Sequence, residues 1–324
     1  MRSALGTATR LSLIFAALVA AAASGWPCDT ASCSLVSRGQ NGLVSKGDLR
    51  VDLSYRYTDE AVPLAGGEST AQVYRPKVAF EQGILWPQFH EEIDGHEAFL
   101  QADLAYGVTN RTTLLASLPL LADRSSTVAH IGIPAADYGT TGFGDLLFGV
   151  RQGIHWGLVG GVSVKLPNAG YRREGDFDGS ILDPTLQPGS GAWGYVASLQ
   201  RGGRISRAIV DWSIAASYQL NTENGLDYRF GDIGLVAAGA SSPVWGPLSA
   251  SFQVKFVHEA RHQYRGEDVP STGSRFLYLS PGLRVHLPDR SVLYGLVQFL
   301  PYRYVNETQL APHVAFLGGI QKTF

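Results

Sequence analysis

Much of the chain alternates apolar and polar residues one by one. Between Ile205 and Leu220, Ala208, Val210, Trp212, Ile214, Ala216, Tyr218 and Leu220 fall on one parity, with Asp211, Ser213, Ser217 and Gln219 on the other. Successive side chains of a strand point to opposite faces, so this stretch predicts a strand with one apolar and one wet face. In Leu248 to Phe256, Leu248, Ala250, Phe252, Val254 and Phe256 oppose Ser249, Ser251, Gln253 and Lys255. Leu49–Tyr57, Leu100–Val108 and Leu277–Leu287 repeat the pattern. Twelve such segments fall near 47–58, 97–108, 111–121, 142–152, 157–167, 192–203, 206–220, 229–242, 247–259, 274–287, 291–302 and 312–324. They run to the roughly 9 to 11 residues of a tilted transmembrane strand. Strands of soluble sheets average about 5 to 6. The expected fold is all-β: a transmembrane antiparallel β-barrel of about 12 strands, spanning 47–324.

The connections alternate in length. Short turns are expected at Thr109-Asn110, His155-Trp156, around Gly202-Gly203, around Trp245-Gly246 and at Asp289-Arg290. Longer loops are expected near 59–96, 122–141, 168–191, 221–228, 260–273 and 303–311. Short turns on one side and long loops on the other is the pattern of bacterial outer-membrane barrels, with the short turns in the periplasm. Pro281 forfeits a ladder hydrogen bond and predicts a bulge. The segment 291–302 is apolar on both faces, so its parity stays open.

The first 25 residues differ in kind. Arg2 and Arg10 precede the apolar run Leu11–Ala23, and small residues follow at Ala22–Gly25. This is a secretory signal peptide, expected over 1–25. Its run of 13 residues is shorter than the about 20 a membrane helix needs. Residues 26–46 then form a polar, Gly/Ser-rich periplasmic segment, which folds into the barrel as a plug or hangs below it as a tail. Outside the cytoplasm, a disulfide between Cys28 and Cys33 is expected.

Composition narrows the class. Charged residues make up 17% of the chain, against about 25% in soluble domains, and the net charge is −2. That balance speaks against a polybasic nucleic-acid binder. With 45% hydrophobic residues the chain is not disordered.

Several fragments resemble a known family. They are Tyr106–Arg111, Thr141–Asp145, Val164–Pro167, Gln187–Gly191, Leu279–Arg284, Val297–Pro301 and Val305–Leu310, in order along 50–324. Together they are similar to the outer-membrane transporter-like proteins named for the meta-pathway of phenol degradation. The resemblance implies an outer-membrane barrel and, more weakly, uptake of aromatic solutes. Phe316, Gly318, Ile320 and Phe324 share one face of the last segment. The terminal Phe324 resembles the signal read by the barrel-assembly machinery, although Lys322 departs from that pattern.

Twelve strands give an intermediate lumen, between the filled interior of about eight and the open channel of about sixteen. The wet parity assigns Arg50, Arg56, Arg151, Lys165, Lys255 and Arg284 to the lumen, against Asp52, Asp103, Asp145, Asp211 and Asp232. Six cations against five anions do not make a strongly ion-selective pore. Arg50, Asp103, Arg151, Lys165, Asp211, Lys255 and Arg284 are expected at mid-strand, lining and narrowing the path. His90 and His96 share 89–97 with four acids and are weak metal candidates, since the spacing matches no closed site. His130, His258 and His262 should also lie toward the outer end. No Gly-x-Ser-x-Gly occurs, no cofactor is implied and no catalysis is expected. The functional expectation is a monomeric channel, held by outer-membrane lipid, that passes small hydrophobic or aromatic solutes. The alternative is a plugged structural or surface-binding barrel, with or without a link to metal.

Overall fold

The structure is a computed structural model that describes residues 42–130, 133–175, 179–205 and 209–324. The expected signal peptide, residues 26–41 and the expected Cys28–Cys33 disulfide lie outside the described residues. Twelve strands make a closed antiparallel barrel: β1 (Leu49–Ala65), β2 (Ile84–Thr109), β3 (Thr112–His130), β4 (Leu147–Gly153), β5 (Leu158–Lys165), β6 (Gly194–Ile205), β7 (Val210–Asn221), β8 (Ile233–Trp245), β9 (Leu248–Glu259), β10 (Ser274–His286), β11 (Ser291–Val305) and β12 (Thr308–Thr323). Each strand pairs with its sequence neighbour. β1 also pairs with β12, placing Leu53 between Ala102 and Ile320 and leaving no free edge in the ring. Closure satisfies every ladder, which is what a sheet in hydrocarbon requires.

The burial pattern follows the sequence alternation. Arg50, Asp52, Ser54 and Thr58 are buried in the lumen, whereas Leu53 and Tyr55 are exposed on the outside. Val162, Leu199, Phe252, Leu283, Phe299 and Phe316 continue that exposed apolar belt around the barrel. Trp156 and Trp245 stand out from the turns at one end, with Trp193 and Tyr195 at the other. An apolar belt between aromatic fringes fits a bilayer and has no use in water. The protein is an outer-membrane barrel.

Four expectations are corrected. The loops expected at 59–96 and 122–141 are largely strand. β1, β2 and β3 run on past the belt, 73–79 folds back on β2, and 133–142 folds back on β3. Above the bilayer the outward face becomes polar, at Asp94, Asp123 and Thr127 for example, so the apolar signal stops while the strand continues. The loop expected at 303–311 is a two-residue turn at Asn306-Glu307, where Glu307 takes a left-handed backbone conformation (φ 47°). The turn expected at Gly202-Gly203 lies further on, because β6 runs to Ile205. Gly203 pairs with Trp212 and leaves room for its indole; a Cβ there would come within 3.3 Å of it. The bulge expected at Pro281 sits in the partner strand, where Leu300 and Pro301 together oppose Tyr278. That bulge lets the consecutive residues Pro301 and Tyr302 both face outward, after Leu300 points in.

Candidate functional site in the upper lumen

The lumen is narrowed from both ends. At the periplasmic end, residues 42–46 lie against the inner wall. Val44 packs on Ala105 and Leu115. Its backbone N–H donates to Thr113 Oγ1 at 2.9 Å. Arg50 donates to the Leu43 carbonyl at 3.3 Å and Arg151 to the Gly42 carbonyl at 3.2 Å. Two inward guanidiniums thus hold backbone oxygens of this segment.

At the extracellular end residues 166–175 and 179–193, between β5 and β6, fold into the barrel. Leu182, Gln187 and Ala192 are buried there. Arg124, inward on β3, donates to the carbonyl of Gln187 at 2.8 Å and lies 3.4 Å from Glu97. Asp145 accepts from the Ser190 N–H and hydroxyl at 2.8 and 2.6 Å. Lys165 donates to the same hydroxyl at 2.7 Å and stands 3.7 Å from Asp145. Arg75, on the 73–79 strand, bonds Glu92 at 2.9 Å and Thr185 at 3.1 Å. Burial pushes the Asp183 carboxyl up, but Arg75 and the donors of Thr185 pull it further down, to below the usual carboxylate range. Above this loop, Val78, Tyr228, Tyr264 and Val269 form a second small core with Phe80, Leu85 and Phe230. That core caps the extracellular end.

Between the infolded loop and the far wall lies a cavity of about 90 Å³. Phe99 and Phe230, with Pro119 and Pro188, supply apolar walls. Gly144 allows the close packing there, since a Cβ would meet Pro119 Cβ at 2.8 Å. Phe99 lies between two guanidiniums, Arg56 at 4.7 Å and Arg124 at 5.1 Å from its centroid. On the opposite wall, His262 Nε2 is 2.9 Å from Glu259 Oε1, and Nδ1 is 2.6 Å from the Tyr228 hydroxyl. All three residues are buried.

The expected lumen residues divide by place. Arg50, Asp52, Asp103, Arg151 and Lys255 are buried on inward faces of the barrel. Arg56 and Arg284 sit on the same parity as their inward neighbours. Tyr294 donates to Asp52 at 2.8 Å, and Lys255 lies over the Tyr278 ring at 4.2 Å. Asp145 and Lys165 belong to the upper cavity. Asp211 is not at mid-strand: it begins β7 at the periplasmic rim and is bound bidentately by Arg204 at 2.7 and 2.8 Å. Asp232 precedes β8 at the extracellular rim, where Arg229 holds both its oxygens at 3.0 Å. The expected parity put it in the lumen, but the inward residues of β8 are Leu235 and Ala237, so Asp232 falls on the outward parity. Arg50, Arg151 and Arg284 also lie low, near the periplasmic ends of β1, β4 and β10, and Lys165 ends β5, so they too are off mid-strand. His90 and His96 stand six residues apart on the extended β2, about 20 Å by strand rise. No three His, Cys, Asp or Glu side chains converge among the described residues.

Sequence reasoning missed Glu97, Phe99, Arg124 and Glu259 as site residues. Glu97 and Phe99 share the inward parity of Gln101 and Asp103, so that parity was the available signal. Arg124 fell within an expected loop.

No protein-family model and no curated protein matches this sequence. Solved structures do resemble the fold. An outer membrane channel from Pseudomonas putida F1 aligns with a TM-score of 0.62 at 12% identity, over 87% of this chain and 97% of that one. The beta domain of the Bordetella autotransporter BrkA aligns at 0.47 and 11% identity, over 87% and 100%. The P. putida toluene transporter TodX aligns at 0.43 and 10%, over 93% and 99%. The likeness to the first is one of fold, and that fold is the outer-membrane barrel.

Proposed function

We propose that this protein is an outer-membrane channel for small hydrophobic or aromatic solutes, with a path that is narrowed at both ends. The observation that carries the reading is the upper-lumen cavity inside the barrel, walled by Phe99, Phe230 and two prolines. The shared fold with the P. putida channel supports it. At about 90 Å³ the cavity is smaller than the 150 Å³ of an engineered site that takes up benzene. An aromatic solute therefore passes only when the infolded loop or the cap moves. Arg50, Asp103, Arg151, Lys165, Lys255 and Arg284 act as lining, not as chemistry.

Liposome swelling in a graded series of neutral solutes tests the reading. The expected result is slow uptake that falls steeply with solute size. A folded, heat-modifiable protein that admits not even the smallest solute would favour the plugged structural barrel.

A further inference from the structure

Two acceptors in the upper cavity lack partners. Glu259 is 3% exposed, and its Oε2 has no hydrogen-bond donor in reach. Gln219 is 4% exposed; its Nε2 donates to Asn221 at 2.8 Å, yet its Oε1 has no donor. Both side chains line the same cavity. A buried acceptor without a donor is costly, so each such atom calls for an explanation, and a ligand that arrives with hydrogens supplies one.

The charges of the cavity say which kind of donor. Three carboxylates line it, Glu97, Asp145 and Glu259, against two cations, Arg124 and Lys165. Both cations are already committed. Arg124 faces Glu97 at 3.4 Å and holds the Gln187 carbonyl; Lys165 faces Asp145 at 3.7 Å and holds Ser190. The third carboxylate, Glu259, has only an imidazole beside it, 2.9 Å from Oε1. That ring's other nitrogen meets the Tyr228 hydroxyl. When Tyr228 donates there, the imidazole is neutral and its proton sits on Nε2, the nitrogen 2.9 Å from Glu259 Oε1. Among the cavity's lining side chains this carboxylate has no guanidinium or ammonium of its own, and its Oε2 is left without a donor.

We propose that the cavity is a subsite for a protonated amine: an ammonium group donates to Glu259 Oε2 and Gln219 Oε1, and its carbon chain lies against Phe99, Pro119 and Pro188. The proposal deepens the channel reading and rests on it for a route into the cavity, and it names the head group of the preferred solute. The cavity has room for a head group of a few heavy atoms. A longer or aromatic tail extends toward the loop.

The test uses binding, so that it stands apart from conduction. The purified full barrel in detergent at neutral pH is titrated with ethylammonium, ethanol and acetate, followed by saturation-transfer NMR. Three heavy atoms limit the affinity to about the millimolar range. Ethylammonium should bind, ethanol should bind more weakly, and acetate should not bind. Glu259→Gln, which keeps the shape and removes the charge, should weaken ethylammonium about tenfold or more. Gln219→Leu should weaken it several-fold, and Asp289→Asn in the distant periplasmic turn should leave it unchanged. The heat-modifiable gel shift of each variant reports folding; if Glu259→Gln fails that control, Glu259→Asp, which draws the carboxylate back, takes its place with the same expected loss. Acetate binding as well as ethylammonium, or ethylammonium binding equally to the wild type and a folded Glu259 variant, would overturn the subsite. Ethylammonium binding in a protein that swells no liposome would uphold the subsite and sink the channel.

Discussion

The periplasmic and extracellular halves of this barrel are built by different rules. The lower half is regular: tight turns, an apolar outer face, and inward guanidiniums of Arg50 and Arg151 that grip one short segment of backbone. The upper half departs from the simple barrel. β1 to β3 rise beyond the belt, β4 and β5 stop after 7 and 8 residues, and the space beside them is filled by the infolded residues 166–175 and 179–193. Lipid sets the first half, because hydrocarbon admits only paired backbone and apolar surface. Water and local packing set the second, so it is free to vary and to carry a site. The difference also predicts that the two halves fail separately.

The largest expected effect is on the cap. Tyr228→Ala removes a buried ring and its hydroxyl contact with His262, at a cost of about 3–5 kcal/mol to that small core. Limited proteolysis should then cut within 222–232 and 260–273, while the heat-modifiable barrel band persists. Loss of the band with the cap would mean that the halves are one cooperative unit. Next comes the boundary of the lipid. Phe252 and Ile84 are almost equally exposed, at 48% and 44%. Only Phe252 is placed in the belt, so Phe252→Arg should cost about 2–4 kcal/mol and deplete folded protein in the membrane. Ile84→Arg should stay within about 0.5 kcal/mol. Equal losses would mean that the boundary is misplaced.

How far these halves could be read from sequence follows from the same physics. The belt was legible because each inward-outward alternation repeats a single rule, as Val51, Leu53 and Tyr55 show against Arg50, Asp52 and Ser54. The rule ends where the bilayer ends, which is why 84–96 and 122–130 looked like loops. The candidate site was legible only in part. Asp145 and Lys165 stood out as charges on the wet parity. Arg124 was hidden because its role depends on a loop more than 60 residues away, at Gln187, and no local pattern encodes that contact. Asp232 shows a different error: the inward residues of β8 are Leu235 and Ala237, so Asp232 falls on the other parity, and Arg229 three residues earlier holds it at the rim.

The hinge of the upper closure is the next lever. Arg124→Met takes the donor from the Gln187 and Thr185 carbonyls, for about 2–3 kcal/mol on the seating of that loop. Solute uptake should rise without loss of folded barrel; unchanged uptake would show that the loop does not limit passage. The smallest effect is expected at the β11–β12 turn. The hydrogen bonds of Arg261 hold the Glu307 carboxyl below its usual range against partial burial. A depressed carboxylate stabilises the fold above its unfolded value, about 4.3, and that gain is lost as pH falls through the lower folded value. Acid should therefore loosen this turn in the wild type. Glu307→Gln should remove the dependence, as read by proteolysis at 306–307 across the acid range. A turn equally pH-sensitive in both proteins would place the titrating group elsewhere.

The central claim is that one solute path is closed in series by two separate elements. The most direct measurement is the liposome-swelling rate for one small neutral solute in four proteins: the intact chain, a version lacking Trp26 to Lys46, Arg124→Met, and the two changes together. Closures in series predict that each single change raises the rate modestly and that the combination raises it by more than the sum of the two. A full rate from either single change would show that the other end is no barrier, and no swelling even in the combination would show that the barrel is not a channel.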